Sequence, residues 1–187
     1  AGPMCREPFT TSSIFIVSAM SYGAISKPAV RALSMGAAEA GIWLNTGEGG
    51  LSPFHLEGGA DIVFQIGTAK YGVREAVGHF DADKFREVMA NPTVRMCESK
   101  LAQGAKPGKG GILPGAKVSR QVSEIRGIPV GEDSISPNRH PEISNDDVLL
   151  DFIALLREAG GKPVGIKIVV GNPGAFEALL RRITARG

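Results

Sequence analysis

The segment Val94 to Ser99, Val-Arg-Met-Cys-Glu-Ser, runs directly into Lys100 to Gly115, which reads Lys-Leu-Ala-Gln-Gly-Ala-Lys-Pro-Gly-Lys-Gly-Gly-Ile-Leu-Pro-Gly. The first segment predicts a strand, whereas the second holds five glycines, two prolines and three lysines in sixteen residues. That composition suits neither a helix nor a sheet, because glycine permits unusual backbone angles and proline lacks an N–H donor. A strand that enters a glycine-rich loop is the pattern on which our prediction of the fold rests.

The loop after this strand carries groups that suit an anion. Lys100, Gln103 and Lys106 are spaced by three and place two cations and an amide beside bare backbone. These groups favour a carboxylate or a phosphate. The alternative is a surface loop with solvated lysines. The loop is not a Walker A loop, in which lysine and then serine or threonine follow the glycines, because Gly110-Gly111 is followed by Ile112. It is not a dinucleotide-binding fingerprint either, because Leu113 stands where the third glycine is needed.

Outward from this loop, apolar runs predict strands, and amphipathic segments with capping residues predict helices. The predicted strands are 14–20, 42–44, 61–66, 94–99 and 163–170, and the predicted helices are 27–40, 81–91, 119–126, 145–159 and 174–186. The run at 61–66 has two interpretations, a barrel strand or a small strand within a long excursion. Strands that are apolar on both faces belong to a parallel sheet buried under helices.

The order of strand, glycine-rich loop and helix repeats along the chain and predicts an α/β fold. We count about four β/α units, namely 14–40, 42–91, 94–159 and 163–186. Their long loops favour a (β/α)8 TIM-type barrel over an open sheet. A whole barrel needs about 250 residues. We therefore predict an irregular lead-in at 1–13 and the N-terminal half of a barrel at 14–187.

Composition and charge exclude several classes of protein. The chain has 187 residues, with 21 basic and 19 acidic side chains interspersed, which argues against a nucleic-acid partner. Since no apolar run approaches the ~18 residues of a membrane span and the start does not resemble a signal peptide, we expect no membrane association and a cytoplasmic location. Cys5, Cys97 and the histidines lack metal-ligand spacing, so we predict no metal site in this chain.

Four ordered motifs resemble the FMN-binding (β/α)8 domain of the glutamate synthase family. They are Ser18-Ala19-Met20-Ser21-Tyr22-Gly23-Ala24-Ile25-Ser26, Asn45-Thr46-Gly47-Glu48-Gly49-Gly50, the segment from Gln103 to Pro114, and Ile135-Ser136-Pro137. The resemblance runs from about Ser18 to Val170 and so covers most of the chain. The segment from Val130 to His140 resembles the stand-alone glutamate-synthase-like proteins more than the large multidomain enzymes.

This resemblance implies an FMN-dependent oxidoreductase that reductively aminates 2-oxoglutarate to L-glutamate through 2-iminoglutarate, with ammonia as the second substrate. The implied residues are Glu48 and Lys106 for catalysis, Lys100, Gln103, Lys106 and Arg126 for the substrate, and Met20, Ser21, Gln65 and Lys167 for the flavin. Three of these residues have structural alternatives. Glu48 could stabilise its loop, Arg126 could cap its helix, and Lys167, inside an apolar strand, could pair with a core carboxylate.

The sequence also departs from the family pattern. Family members typically carry a glutamine where Ile112 stands, so the alternatives include a family flavoenzyme acting on another 2-oxo acid or an N-alkyl amino acid, and a non-catalytic half-barrel module. The cysteines that hold the family's [3Fe-4S] cluster and the phosphate-binding loops would lie beyond Gly187. We therefore expect such a cluster only in a full-length protein and weak FMN binding by this segment alone. An electron donor and an ammonia-supplying protein are the expected partners.

Overall fold

A computed structural model describes residues 1–104 and 108–186. The helices are α1 (Lys27–Glu39), α2 (Pro53–Leu56), α3 (Ala82–Ala90), α4 (Arg120–Arg126), α5 (Asp146–Gly160) and α6 (Pro173–Arg186). The strands are β1 (Leu44–Asn45), β2 (Ile62–Ile66), β3 (Val94–Lys100), β4 (Ile112–Leu113), β5 (Ser134–Ile135) and β6 (Val164–Lys167).

The main sheet is parallel, and its strands follow chain order. β1, β2, β3 and β6 lie side by side in that sequence, while β4 and β5 form a separate antiparallel pair. Cys97 of β3 pairs in register with Phe64 of β2 on one side and with Val164 of β6 on the other. The predicted α/β fold with a parallel sheet is confirmed. The run at 61–66 is a strand of the main sheet, and residues 42–91 contribute two of its strands rather than one.

The buried strand predicted at 14–20 is wrong. Val17 makes only an isolated parallel bridge to Leu44, where its N–H donates to the Trp43 carbonyl and its own carbonyl accepts from Asn45. Ile14 and Phe15 are 91% and 74% exposed. The segment lies at the edge of the sheet, and no other strand in the described part of the chain pairs with its far side. Apolar side chains alone therefore did not ensure burial.

The predicted strand at 163–170 is shorter and less buried than expected. β6 ends at Lys167, and Ile168, Val169 and Val170 are exposed. Within residues 1–104 and 108–186, β6 pairs with β3 alone, so it forms the opposite edge of the sheet. Lys167, predicted to lie inside an apolar strand, is exposed for the same reason.

The core lies between the sheet and the helices that cover it. Phe64 of β2, Phe85 and Met89 of α3 and Leu156 of α5 are almost completely buried and belong to one hydrophobic cluster. Phe80 packs against Phe85 with ring centroids 5.6 Å apart. The apolar face predicted for α3 therefore contacts the core.

Capping residues mark the ends of the helices. The side chain of Ser26 accepts from the Ala29 N–H before α1, and Asp81 accepts from the first turn of α3. Asn145 accepts from the Val148 N–H before α5, and Gly161 ends that helix in the left-handed conformation, with φ of 68°. These short-range hydrogen bonds explain why the helices begin and end close to their predicted positions.

A buried lysine, Lys162, stabilises the connection between α3 and the sheet. Its side chain is 3% exposed, and its ammonium donates to the carbonyls of Met89, Asn91 and Val94 at 2.5, 3.1 and 2.6 Å. These carbonyls lie at the end of α3 and the start of β3. The ammonium thus satisfies several buried acceptors at one point.

We predict that Lys162→Met lowers the free energy of unfolding by about 3 kcal/mol, because buried carbonyls lose a charged donor. Urea unfolding followed by circular dichroism measures the change. Lys117→Met is the matched control, since Lys117 is exposed, and it should shift stability by less than about 0.5 kcal/mol. Equal stability of the two variants would contradict the role assigned to Lys162.

Candidate active site

A cavity of about 520 Å³ opens where β3 and β6 end. Lys100 is the last residue of β3, and Lys167 is the last residue of β6; the two are partners in the register of the sheet. The loop after β1 brings Glu48 to the same cavity. Parallel strands place their C-terminal ends at one edge, which explains how residues distant in sequence meet here.

Six of the residues predicted for the site line this cavity. They are Ser21, Glu48, Lys100, Gln103, Arg126 and Lys167. Lys106, predicted both for catalysis and for substrate binding, lies outside the described residues. The remaining lining is largely small or apolar and includes Gly104, Gly111 and Ile112.

Glu48 is the centre of a hydrogen-bonded cluster. Lys100 Nζ donates to Glu48 Oε2 at 3.0 Å, and Gln103 Nε2 donates to both carboxylate oxygens, at 3.0 and 2.8 Å. Lys100 Nζ also donates to Gln103 Oε1 at 2.8 Å. The side chains of Glu48 and Lys100 are only 18% and 16% exposed. In this structure, therefore, Lys100 and Gln103 bind a carboxylate, but it belongs to the protein itself.

A glycine on the neighbouring strand end leaves room for this carboxylate. A Cβ atom at Gly67, immediately after β2, would lie 2.5 Å from Glu48 Cβ and 2.6 Å from Glu48 Oε2. Both separations are closer than real contacts allow. A larger residue at position 67 would displace Glu48 from Lys100.

Arg126 lies in the wall of the cavity and is 6% exposed. Its Nη2 donates to the Tyr22 carbonyl at 3.3 Å, and its guanidinium carbon lies 4.9 Å from the ring centroid of Tyr71. Arg126 Nε is buried and has no hydrogen-bond partner among the described residues. Burial lowers the pKa of Arg126 below its ordinary value, and nearby Tyr71 and Glu48 oppose that shift.

The alternative that Arg126 caps its own helix is not supported. Gly127 ends α4 in the left-handed conformation, with φ of 69°, and its N–H donates to the Ser123 carbonyl. The Arg126 side chain donates instead to the carbonyl of Tyr22, which is distant in sequence. Arg126 therefore presents a largely buried cationic group to the cavity.

Lys167 lines the cavity and has no carboxylate partner in the part of the chain that the structure describes. The alternative of a structural lysine paired with a core carboxylate is therefore not observed. Its position at the end of β6 leaves its ammonium available to a negatively charged ligand.

Two residues predicted for the flavin, Met20 and Gln65, do not line the cavity. The Met20 carbonyl accepts from His55 Nε2 at 2.9 Å, which ties this segment to α2. Gln65 is buried, and its amide donates to Glu98, its register partner on β3. The cross-strand pair with Glu98 thus occupies the side chain of Gln65 within the sheet.

Several residues at the site were missed by sequence reasoning. Ser134 and Ser136 line the cavity, and buried Tyr71 lies behind them, with its hydroxyl hydrogen-bonded to Ser134. His140 Nε2 donates to the Lys100 carbonyl at 3.0 Å. The Ile-Ser-Pro motif drew attention to position 136, but no local pattern pointed to Tyr71 or His140.

Among residues 1–104 and 108–186, no cluster of histidine, cysteine, aspartate and glutamate side chains could hold a metal ion. No helix within those ranges has the length and apolarity needed to cross a membrane.

Comparison with known proteins identifies the family. A family model described as a conserved region in glutamate synthase matches residues 3–181. The chain belongs to the glutamate synthase family. The match extends over all the strands of the sheet and every described residue of the cavity.

Three relatives in the glutamate synthase family illustrate the similarity. The glutamate synthase large subunit-like protein YerD of Bacillus subtilis is 47% identical over 98% of this chain, which spans 35% of that protein. An archaeal-type glutamate synthase [NADPH] of Thermotoga maritima is 39% identical over 81% of the chain and 28% of its own length. A large subunit-like protein of Rhizobium meliloti is 32% identical over 90% of the chain and 36% of its own length. The chain thus spans about a third of these relatives.

We predict that Glu48 and Lys100 stabilise this glutamate synthase family domain cooperatively. A double-mutant cycle with Glu48→Gln and Lys100→Met should give a coupling energy of about 1 to 2 kcal/mol, because the pair is largely shielded from water. The exposed pair of Arg120 and Glu124, on one face of α4, is the control. Its coupling should be about 0.3 to 0.5 kcal/mol. Similar values for the two pairs, measured by urea unfolding, would contradict the prediction.

We also predict a loss of stability as the pH is lowered from about 6.5. Burial lowers the pKa of both His55 and His140 below the ordinary value of 6.5, so the folded chain binds fewer protons at these two side chains than the unfolded chain does. The unfolded chain gains protons as the pH falls through 6.5, and unfolding is then favoured by up to about 1.4 kcal/mol per pH unit for each histidine. Urea unfolding across this range measures the slope. His140→Gln should reduce it, whereas substitution of exposed His79 by Gln should not.

Proposed function

We propose that this chain supplies part of the active site of an FMN-dependent oxidoreductase of glutamate synthase type. The proposed reaction is reductive amination of 2-oxoglutarate to L-glutamate through 2-iminoglutarate. The observation that carries the proposal is the convergence of Glu48, Lys100, Arg126 and Lys167 on one cavity at the strand ends. Membership of the glutamate synthase family supports it. We expect the enzyme to be cytoplasmic and to depend on proteins that supply electrons and ammonia.

We infer that the parallel sheet is the first part of a (β/α)8 barrel. Its strands follow chain order without reversal, as adjacent barrel strands do. Apolar side chains are exposed at both of its edges, at Ile14 and Phe15 on one side and at Val169 and Val170 on the other. Further strands along these edges would bury them.

The lining of the cavity fits a flavin in two respects. Lys167 offers a cation without a described carboxylate partner, and Gly111 adds backbone without a side chain to the wall. FMN, when bound, would supply the hydride for the imino carbon. The ammonium of Lys167 would stabilise negative charge on the reduced ring system.

The remaining residues have distinct roles in this proposal. Arg126 lines the cavity without a described carboxylate partner and would bind a substrate carboxylate through its guanidinium. Lys100 and Gln103 hold the carboxylate of Glu48 in place through three hydrogen bonds. Glu48 would then accept a hydrogen bond from ammonia and take up a proton as the carbon–nitrogen bond forms.

A second candidate substrate class is favoured by the apolar part of the wall. Ile112 is 63% exposed and lines the cavity together with Ile168 and Val169. A dicarboxylate would place its second charged group near hydrocarbon if it extended in that direction. A 2-oxo acid with an apolar side chain, or an N-alkyl amino acid in the reverse reaction, would suit this wall better.

The test uses the intact polypeptide that carries this chain, reconstituted with FMN and reduced with dithionite. Addition of 2-oxoglutarate and ammonium should reoxidise the flavin, seen at about 450 nm, and yield glutamate. Pyruvate and 2-oxoisovalerate, tested in parallel, distinguish the second substrate class. A protein that cannot be reconstituted with FMN, or that yields no glutamate, would refute the first proposal.

We predict that Arg126→Lys lowers kcat/KM for the 2-oxo acid by about 10- to 100-fold, because a charge-assisted contact worth about 1.5 to 3 kcal/mol is lost. Arg120→Lys is the matched control, since Arg120 lies on the same helix and is exposed. It should leave kcat/KM within about twofold of the unmodified enzyme. Equal effects of the two substitutions would contradict the role of Arg126.

A further inference from the structure

Tyr71 does not line the cavity, yet it contacts three residues that do. It is 2% exposed, and its hydroxyl is hydrogen-bonded to the hydroxyl of Ser134. Ser136 Oγ donates to Tyr71 Oη at 3.4 Å, and the guanidinium carbon of Arg126 lies 4.9 Å from the centroid of its ring. A single buried ring thus connects an arginine with two serines of the cavity wall.

The position of Tyr71 is fixed by the backbone around it. Lys70, immediately before it, has a positive φ of 54°, which is uncommon for a residue with a side chain. The ammonium of Lys70 is buried and pairs with Glu142 at 2.9 Å. Immediately after Tyr71, the Gly72 N–H donates to the Arg126 carbonyl at 3.2 Å. The turn that carries Tyr71 is therefore joined to α4 and to the segment that follows β5.

The protons of this network can be assigned from the need to satisfy buried groups. Ser136 donates to the phenolic oxygen, so the phenolic proton of Tyr71 needs another acceptor, and Ser134 Oγ is its recorded neighbour. Since Tyr71 then donates to Ser134, the hydroxyl proton of Ser134 is free to point elsewhere. Ser134 lines the cavity, so a ligand there can accept that proton.

The donors around Tyr71 match a carboxylate. Arg126 lines the cavity, and its guanidinium has no carboxylate partner among the described residues, while Ser134 offers its hydroxyl. A carboxylate accepts two such hydrogen bonds with its two oxygens. The cation–π contact with Tyr71 offsets part of the cost of keeping the guanidinium buried before a ligand arrives.

We propose that Tyr71 is a positioning residue that fixes a carboxylate subsite formed by the guanidinium of Arg126 and the hydroxyl of Ser134. The inference rests on the proposed function for the identity of the ligand, a 2-oxo acid. Tyr71 itself does not touch that ligand. It orients one donor through its ring and the other through its hydroxyl.

The test compares Tyr71→Phe with Tyr22→Phe in the intact FMN-containing polypeptide. The first substitution keeps the ring under Arg126 but removes the phenolic donor to Ser134. The second removes a hydroxyl that donates to exposed Gln121 at 2.7 Å and so serves as the matched control. Calorimetry measures the dissociation constants of 2-oxoglutarate and pyruvate. We expect Tyr71→Phe to weaken the binding of both about 5- to 10-fold and Tyr22→Phe to change it less than twofold.

Kinetics separate positioning from a general loss of structure. Tyr71→Phe should raise KM about 5- to 10-fold with kcat within about twofold, because it acts on carboxylate binding rather than on hydride transfer. Unchanged dissociation constants in Tyr71→Phe, or an unmodified protein that binds neither carboxylate, would overturn the inference. Carboxylate binding that Tyr71→Phe weakens, without any formation of glutamate, would refute the proposed reaction and leave the subsite intact.

A second measurement does not depend on a ligand or on turnover. The Nε–H resonance of Arg126 in a ¹H–¹⁵N spectrum should be displaced by the ring current of Tyr71. That displacement should persist in Tyr71→Phe and disappear in Tyr71→Leu. If Tyr71→Leu does not fold, the position of the Arg126 Nε–H resonance in the unmodified protein and in Tyr71→Phe still decides the question, because both should show the displacement. An Arg126 resonance at its ordinary position in the folded, unmodified protein would overturn the inference.

Discussion

The carboxylate of Glu48 links the two loops on which the cavity depends. One loop follows β1 and the other follows β3, and the described backbone of Glu48 makes no hydrogen bond to the backbone of Lys100 or Gln103. The contacts of Glu48 with these two side chains therefore define the distance between the loops. Because the pair is largely shielded from water, its loss would leave a charge poorly solvated. The shape of the cavity thus follows from an ion pair between loops as much as from the sheet below it.

The cavity has two cationic groups besides Lys100 among its described residues, and each is maintained differently. Arg126 is buried, and an aromatic ring and one carbonyl compensate part of its desolvation. Lys167 is exposed at the edge of the sheet, where water solvates it. A ligand that binds Arg126 displaces little water, because the guanidinium is largely buried. A ligand that binds Lys167 must displace the water around an exposed ammonium. The electrostatic preference of the cavity for anions is therefore strongest at the wall formed by α4.

The sequence predicted the helices well and the edge strands poorly, and the reason is the range of the interactions involved. Ser26, Asp81 and Asn145 cap their helices through hydrogen bonds to residues within three positions. Residues 14–20 are apolar, but no described element packs over Ile14 and Phe15, which remain exposed. Local apolarity cannot show whether another element will cover a strand. Six predicted site residues meet at the cavity, whereas the Met20 carbonyl accepts a hydrogen bond from His55 and the Gln65 side chain bonds to Glu98. The contact of Tyr71 with Ser134 joins positions 63 residues apart, and no local pattern indicates it.

The exposed borders of the parallel sheet have a consequence for handling this polypeptide. β6 presents an unpaired side next to Ile168, Val169 and Val170, and the segment around Val17 presents another beside Ile14 and Phe15. Free backbone donors and acceptors beside hydrocarbon form a template on which any extended chain can add. An extended segment of a second copy would therefore find a site for pairing along these edges, and charged side chains at positions 14 and 169 would oppose that pairing.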